Sequence, residues 1–297
     1  MPTRILILGT GLIGGSLGLA LRALGPAFEG TISGWDPDPA ELATALERGA
    51  IHNALPNREA ALTPGMADIY VLAAPVLPIL DWMQRLAAVA GPHALVTDVG
   101  STKAEIVRQA APLYGGSGQA EFLPGHPMAG KESGGAALAE APLFHGATWL
   151  FTPLTPEPTA LGQQWRGWIE AIGAQTFDID AREHDRICAW VSHLPQMLST
   201  ALASLLEETF AGDAKGRALI DAIGGRALRE TTRLGASPYS MWRDIALTNT
   251  EPIAATLFAL EQQLAHLREN LRTPELGREF RAANHFRTNA ATHKPRP

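Results

Sequence analysis

The sequence predicts an α/β protein, a doubly wound parallel sheet followed by an all-helical second half. Two observations carry that reading. Short apolar runs alternate with helical-period stretches through about residue 178, and β-branched runs disappear after Ala181. At 297 residues the chain favours two domains, placed at 1–178 and 179–297.

Arg4-Ile5-Leu6-Ile7-Leu8 is a continuous apolar run, the pattern of a strand buried on both faces. It enters Gly9-Thr10-Gly11-Leu12-Ile13-Gly14, a complete GxGxxG. A helix marked by Leu17, Leu21 and Leu24 follows, with Gly25 and Pro26 as its stop. Glycines here allow a tight turn and close approach of a pyrophosphate, and the helix N-terminus offers unpaired N–H groups to it. Residues 31–35 read as the second strand, which ends on Asp36. A carboxylate at that distance accepts hydrogen bonds from ribose hydroxyls and repels a 2′-phosphate, which favours NAD over NADP. An ordinary turn aspartate is the plainer alternative for Asp36.

The alternation continues with a helix over 41–48, a strand over 68–73, and Ala74-Pro75-Val76 as a loop over the cofactor. A helix over 79–89, a strand over 94–99 and a helix over 104–111 come next. Ser101 and Lys103 fall at a strand's carboxyl end, where such sheets bind ligands. Ser101 also suits a helix N-cap. The strand over 121–123 leads to Gly125-His126-Pro127-Met128-Ala129-Gly130-Lys131-Glu132. Pro127 pushes the preceding residue into an extended conformation, so His126 is held at a strand end. A histidine so placed can act as a base near neutral pH, although a polar turn residue would look the same. Strands over 147–151 and 174–178, flanking a helix over 157–172, complete the first domain.

The second half reads as helices over 183–190, 196–210, 215–234, 239–249 and 252–271. Leu198, Leu202, Leu205 and Leu206 form an apolar stripe suited to packing on a second subunit, and a homodimer is the simplest such assembly. His193 sits in Ser192-His193-Leu194-Pro195. Arg226, Arg229 and Arg233 recur on one helical face, and a guanidinium matches a carboxylate's two oxygens. The segment after Leu271 carries basic residues with few apolar ones and reads as loosely packed, with residues 292–297 frayed.

A formal net charge of −6 argues against nucleic acid as a main partner. The single cysteine, Cys188, allows no intrachain disulfide or thiolate cluster and reads as a small buried apolar residue. No leader and no apolar run of about 18 residues is visible, which predicts a soluble, cytoplasmic protein without a membrane partner.

Together these residues resemble the prephenate/arogenate dehydrogenase family of tyrosine biosynthesis. The resemblance rests on the glycine turn with Asp36, Asp98-Val99-Gly100-Ser101-Thr102-Lys103, the Gly125–Glu132 segment, Ser192-His193-Leu194-Pro195, Glu230-Thr231-Thr232-Arg233 and Trp242-Arg243-Asp244. It implies NAD-dependent oxidative decarboxylation of prephenate to 4-hydroxyphenylpyruvate, or the corresponding conversion of arogenate to tyrosine. By the same resemblance His126 takes the ring hydroxyl's proton and Ser101 orients both. Arg233 binds a substrate carboxylate, His193 lines the substrate pocket, and Glu132 near its entrance pairs with a base such as Arg229. Gly9, Gly11, Leu12, Ile13, Gly14, Asp36 and Pro75 would hold NAD, with no metal. Lys131 departs from the serine or threonine of many relatives. Two rivals differ in class: another small-acid dehydrogenase, which would need a lysine base where only Lys215 is available, and a non-catalytic NAD(H) sensor.

Overall fold

Strand β1 (Thr3–Leu8) shows in miniature how the first half is built. Ile5 and Ile7 enter one apolar cluster while Leu6 and Leu8 enter another on the opposite face of the sheet. The computed structural model describes residues 2–114, 116, 118–131 and 133–292. Helix α1 (Leu12–Ala23), strand β2 (Gly30–Trp35), helix α2 (Pro39–Glu47) and strand β3 (Asn53–Ala54) come next. After them run α3 (Arg58–Ala61), β4 (Ile69–Leu72), α4 (Val76–Leu86), β5 (Leu95–Asp98), α5 (Ala104–Tyr114) and β6 (Glu121–Leu123). The strands form a six-stranded sheet in the order β3-β2-β1-β4-β5-β6, with all neighbours parallel. Every strand must therefore be reached by a crossover, and the crossovers cover both faces. Leu17 and Leu21 of α1 pack on one face; Ile79 and Met83 of α4 and Ile106 of α5 pack on the other.

The next strands depart from the expected single sheet. Strand β7 (Gly125–Pro127), β8 (Thr148–Phe151) and β9 (Gln175–Asp178) make a separate three-stranded sheet, with helix α6 (Ala160–Ala171) between the last two. Pro124 follows β6 directly, and after it the chain changes partner: β7 runs antiparallel to β8, with His126 opposite Leu150. Trp149 and Phe151 of β8, with Trp165 and Trp168 of α6, join the β1 cluster that holds Ile5 and Ile7. His126 thus lies within a short strand of its own rather than at the end of a main-sheet strand.

The second half is helical: α7 (Ala181–Cys188), α8 (Leu194–Thr209), α9 (Ala214–Ile223), α10 (Gly225–Thr232), α11 (Tyr239–Thr248), α12 (Thr250–Glu269) and α13 (Pro274–Thr292). A wide π-turn, Ala189–His193, joins α7 to α8. The single helix expected over 215–234 is broken at Gly225, whose φ of 49° is left-handed backbone that a glycine tolerates. The segment expected to be loosely packed forms α13, whose described side chains are largely exposed. Gln263 of α12 donates to Glu279 of α13 across 2.5 Å, and His266 Nε2 lies 3.4 Å from the same carboxylate. Residues 293–297, within the stretch expected to fray, lie outside the described residues.

Two buried aspartates of the helical half dock it onto the sheet half. Asp185 accepts from Lys103 N at 2.7 Å and Ala104 N at 2.8 Å, capping α5. Asp244 accepts from Leu77 N at 3.1 Å in the first turn of α4. Each carboxylate meets N–H groups that a helix start leaves without intrahelical partners, at the positive end of the helix dipole. Thr102 and Thr248 share a hydrogen bond of 2.7 Å beside them. The α5 cap is therefore Asp185, 81 residues away from Ala104 in sequence, rather than Ser101.

Candidate active site

The order β3-β2-β1-β4 places the sheet's reversal point between β1 and β4, and ligands of such sheets sit beyond the carboxyl ends of strands at this point. A cavity of about 330 Å³ lies there. Leu12 and Ile13 of the glycine turn, Pro75 after β4, Ser101 after β5, His126 and Lys131 line it, and Met241 and Ile245 of α11 close it. The glycine turn has the shape a phosphate cradle needs. Gly9 has a φ of 100°, and a Cβ on it would strike the Ala73 carbonyl. A Cβ on Gly14 would strike the Gly9 carbonyl oxygen, whereas Gly11 faces open space at the start of α1. Close packing explains Gly9 and Gly14; open approach to a helix N-terminus is the property Gly11 provides.

Asp36 stands one residue past β2. Its Oδ2 accepts from Thr10 N at 2.7 Å and its Oδ1 from Asp38 N at 2.9 Å. These bonds lock the carboxylate against the glycine turn. Burial pushes its pKa up while the two backbone donors pull it back. Oδ2 also faces Thr10 Oγ1 at 3.5 Å, while Oδ1 keeps a second lone pair available for a ribose hydroxyl.

His126 is 9% exposed. Its Nδ1 lies 2.8 Å from His184 Nε2, and His184 Nδ1 lies 2.8 Å from Asp185 Oδ1. With Nδ1 engaged, Nε2 is the nitrogen left for the cavity. The sequence leads to a base with an ordinary pKa, but the structure overturns that. Burial drives the His126 imidazole well below its ordinary 6.5, and the neighbouring His184, Lys103 and His193 push the same way. At neutral pH His126 is an uncharged base, the form that can accept a proton.

Lys103 does not reach the rim. It is fully buried and paired with Asp98, whose carboxylate also accepts from Gly100 N at 2.8 Å and Gly125 N at 3.2 Å. The Gly125 hydrogen bond to this carboxylate ties the β5 end to the start of β7, the strand carrying His126. Cys188 is buried as expected, with burial pushing its thiol up to about 12.

His193 is buried in the π-turn, edge-on to Trp242 at 5.7 Å. Its Nδ1 faces Asn249 Nδ2 at 3.1 Å; the amide donates, so the ring proton sits on Nε2. Burial pulls His193 down to about 4. Arg229 and Arg233 are exposed, and neither lines the cavity. Arg226 pairs with Glu230 on the surface. Glu132 lies outside the described residues. The ammonium of Lys131, on the cavity wall, reaches the Leu138 carbonyl and Glu140, both at 3.0 Å. The sequence reading missed His184 and Asp185. The His-Asp pair is visible at the head of the second half, but only folding brings it beneath His126.

The profile of the prephenate dehydrogenase nucleotide-binding domain matches residues 17–177, and that of the prephenate dehydrogenase dimerization domain matches residues 180–283. The chain belongs to the prephenate dehydrogenase family. A prephenate dehydrogenase from Lactococcus lactis is 32% identical over 284 residues, which span 95% of this chain and 74% of the relative. The crystal structure of prephenate dehydrogenase from Aquifex aeolicus with hydroxyphenyl propionate and NAD+ superposes with a TM-score of 0.86. Its identity is 26%, over 98% of this chain and 99% of that one. An arogenate dehydrogenase from Synechocystis gives 0.75 at 29% identity, over 97% of this chain and 99% of that one. The chain is thus an oxidoreductase of this family, with a nucleotide-binding sheet half and a helical half of the dimerization type. No described helix is long and apolar enough to cross a membrane.

Proposed function

We propose that this enzyme oxidatively decarboxylates prephenate to 4-hydroxyphenylpyruvate with NAD. The observation that carries the reading is a neutral, buried His126 on the wall of the cavity that the glycine turn opens into. Gly9, Gly11, Leu12, Ile13, Gly14 and Pro75 would hold the dinucleotide, with Asp36 on its ribose; the open approach at Gly11 and the locked Asp36 carboxylate fit that group. Bound NAD supplies a hydride acceptor. His126 Nε2 takes the proton of the ring hydroxyl as hydride leaves the same carbon. Loss of carbon dioxide then aromatises the ring, which makes the step effectively irreversible.

Ser101 shares the cavity wall and would orient the hydroxyl. Arg233 is assigned to a substrate carboxylate, with Arg229 and Glu132 at the entrance and His193 behind the pocket. Residues 1–178 would hold the nucleotide and residues 179–297 the substrate and dimer contacts, in the cytoplasm. A homodimer is supported by apolar side chains left exposed on one chain, including Leu205 and Phe258. Sedimentation at micromolar protein should give the dimer mass.

Arogenate is the second reading, favoured by the likeness to the Synechocystis enzyme. The test is NADH formation with prephenate, then with arogenate. Prephenate should be turned over faster, and His126→Asn should cut kcat by about 10²–10⁴ with NAD binding kept. Near-normal turnover in that variant would remove His126 from the mechanism.

A further inference from the structure

Beneath His126 lies a polar chain that no step above requires. His126 Nδ1 meets His184 Nε2, and His184 Nδ1 meets Asp185 Oδ1, each at 2.8 Å. All three side chains are buried in the seam where α7 packs on α5. We propose that His184 and Asp185 are positioning residues for the base, fixing the His126 proton on Nδ1 so that the Nε2 lone pair faces the substrate. The proposal rests on the dehydrogenase reading above and deepens it.

The protonation pattern follows from the far end. Asp185 accepts backbone N–H groups on both oxygens, from Lys103 and Ala104. Its third bond, at Oδ1, faces His184 Nδ1, and a carboxylate has no proton to give. His184 Nδ1 therefore carries hydrogen and donates. A neutral His184 then has its lone pair on Nε2, which must accept, so His126 Nδ1 donates to it. His126 Nε2 is left without hydrogen.

The arrangement also serves the step itself. When the substrate O–H bond breaks and an N–H bond forms at His126 Nε2, the ring becomes an imidazolium. Its Nδ1–H bond to His184 then becomes charge-assisted, and the Asp185 carboxylate stabilises the charge through the His184 ring. No proton has to leave Nδ1. The reversed tautomer would place hydrogen on Nε2 and leave no base, as when a triad aspartate is replaced by an amide.

Two measurements test this. In enzyme labelled with ¹⁵N-histidine, the ring nitrogen shifts of His126, assigned by comparison with His126→Asn, should report hydrogen on Nδ1 and a lone pair on Nε2. The tautomer is read without substrate, so this outcome stands whether or not prephenate is the substrate. His184→Leu, which removes the acceptor, should lower kcat about 10–100-fold while NAD affinity and KM stay within about twofold. His184→Gln, whose Oε1 can still accept from Nδ1, should recover most of that loss. Hydrogen found on His126 Nε2 in the wild-type enzyme overturns the proposal. So does undiminished kcat in His184→Leu, or an equal loss in the Gln and Leu variants. If His184→Leu does not fold, the tautomer measurement and near-normal turnover by His184→Gln decide instead. A wild-type enzyme that makes no NADH from prephenate would sink the functional reading and leave the tautomer result standing.

Discussion

Acidification should destabilise this protein through its buried histidines, and the size of the effect can be worked out. His126 is held well below 6.5 and His193 at about 4, both chiefly by burial. The sign follows from which state binds the proton. Above about pH 6.5 both folded and unfolded histidines are neutral, so no stability is at stake. As the pH falls below that value the unfolded side chains gain protons that the folded ones refuse, and stability is lost until the folded pKa is reached. At about pH 5.5 an unfolded histidine is roughly nine-tenths protonated, which costs the folded state about 1.4 kcal/mol per buried ring. His193, at about 4, should cost on the order of 1 kcal/mol, and His126 acts in the same direction. His184, also lowered by burial, adds in the same direction. For a chain of this size each kcal/mol lowers Tm by about 2 °C, so a fall of at least about 2 °C is expected between about pH 7.5 and 5.5. Because carboxylates also begin to titrate, the decisive quantity is a difference of differences. Urea unfolding of the wild type and of His126→Asn at both pH values should show a smaller pH dependence in the variant. Parallel curves would mean that His126 is not held neutral by burial. The same depression predicts an acid limb of kcat/KM that begins well below pH 6.5, over the range where the protein stays folded.

Replacing Asp36 by Ala should narrow the preference for NAD over NADP, measured as the ratio of kcat/KM for the two; an unchanged ratio would refute its ribose role. Asp244→Ala leaves Leu77 N–H without its cap at the junction of the two halves. It should cost about 2–3 kcal/mol, read as a Tm lowered by about 3–5 °C. The half-exposed Arg243 partner adds little, so a shift under about 1 °C would show that α11 does not depend on this cap. Arg233→Ala should raise KM for prephenate at least about tenfold with kcat nearly unchanged, since a lost charge-assisted pair to a ligand costs roughly 2–5 kcal/mol. A constant KM would assign Arg233 to the surface.

What the sequence determined by itself is what local patterning determines. The apolar run before the glycine turn, the GxGxxG and the acid after the second strand specify strand, turn and helix in consecutive residues, and the parallel sheet follows from their repetition. Gly125-His126-Pro127 marked an extended histidine because the proline acts on its immediate neighbour. Three features needed the tertiary structure. Pro124 ends β6 and turns the chain to another partner, so His126 sits in a second sheet whose pairing with Leu150 is not local. Lys103 looked like a rim residue, yet the buried Asp98 draws it inward. The pKa of His126 is decided by how completely the helical half covers it, which no neighbouring residue reports. His184 and Asp185 looked like an ordinary polar helix start. They lie 58 and 59 residues beyond His126 in sequence, and only the docking of α7 on α5 turns them into the support of the base.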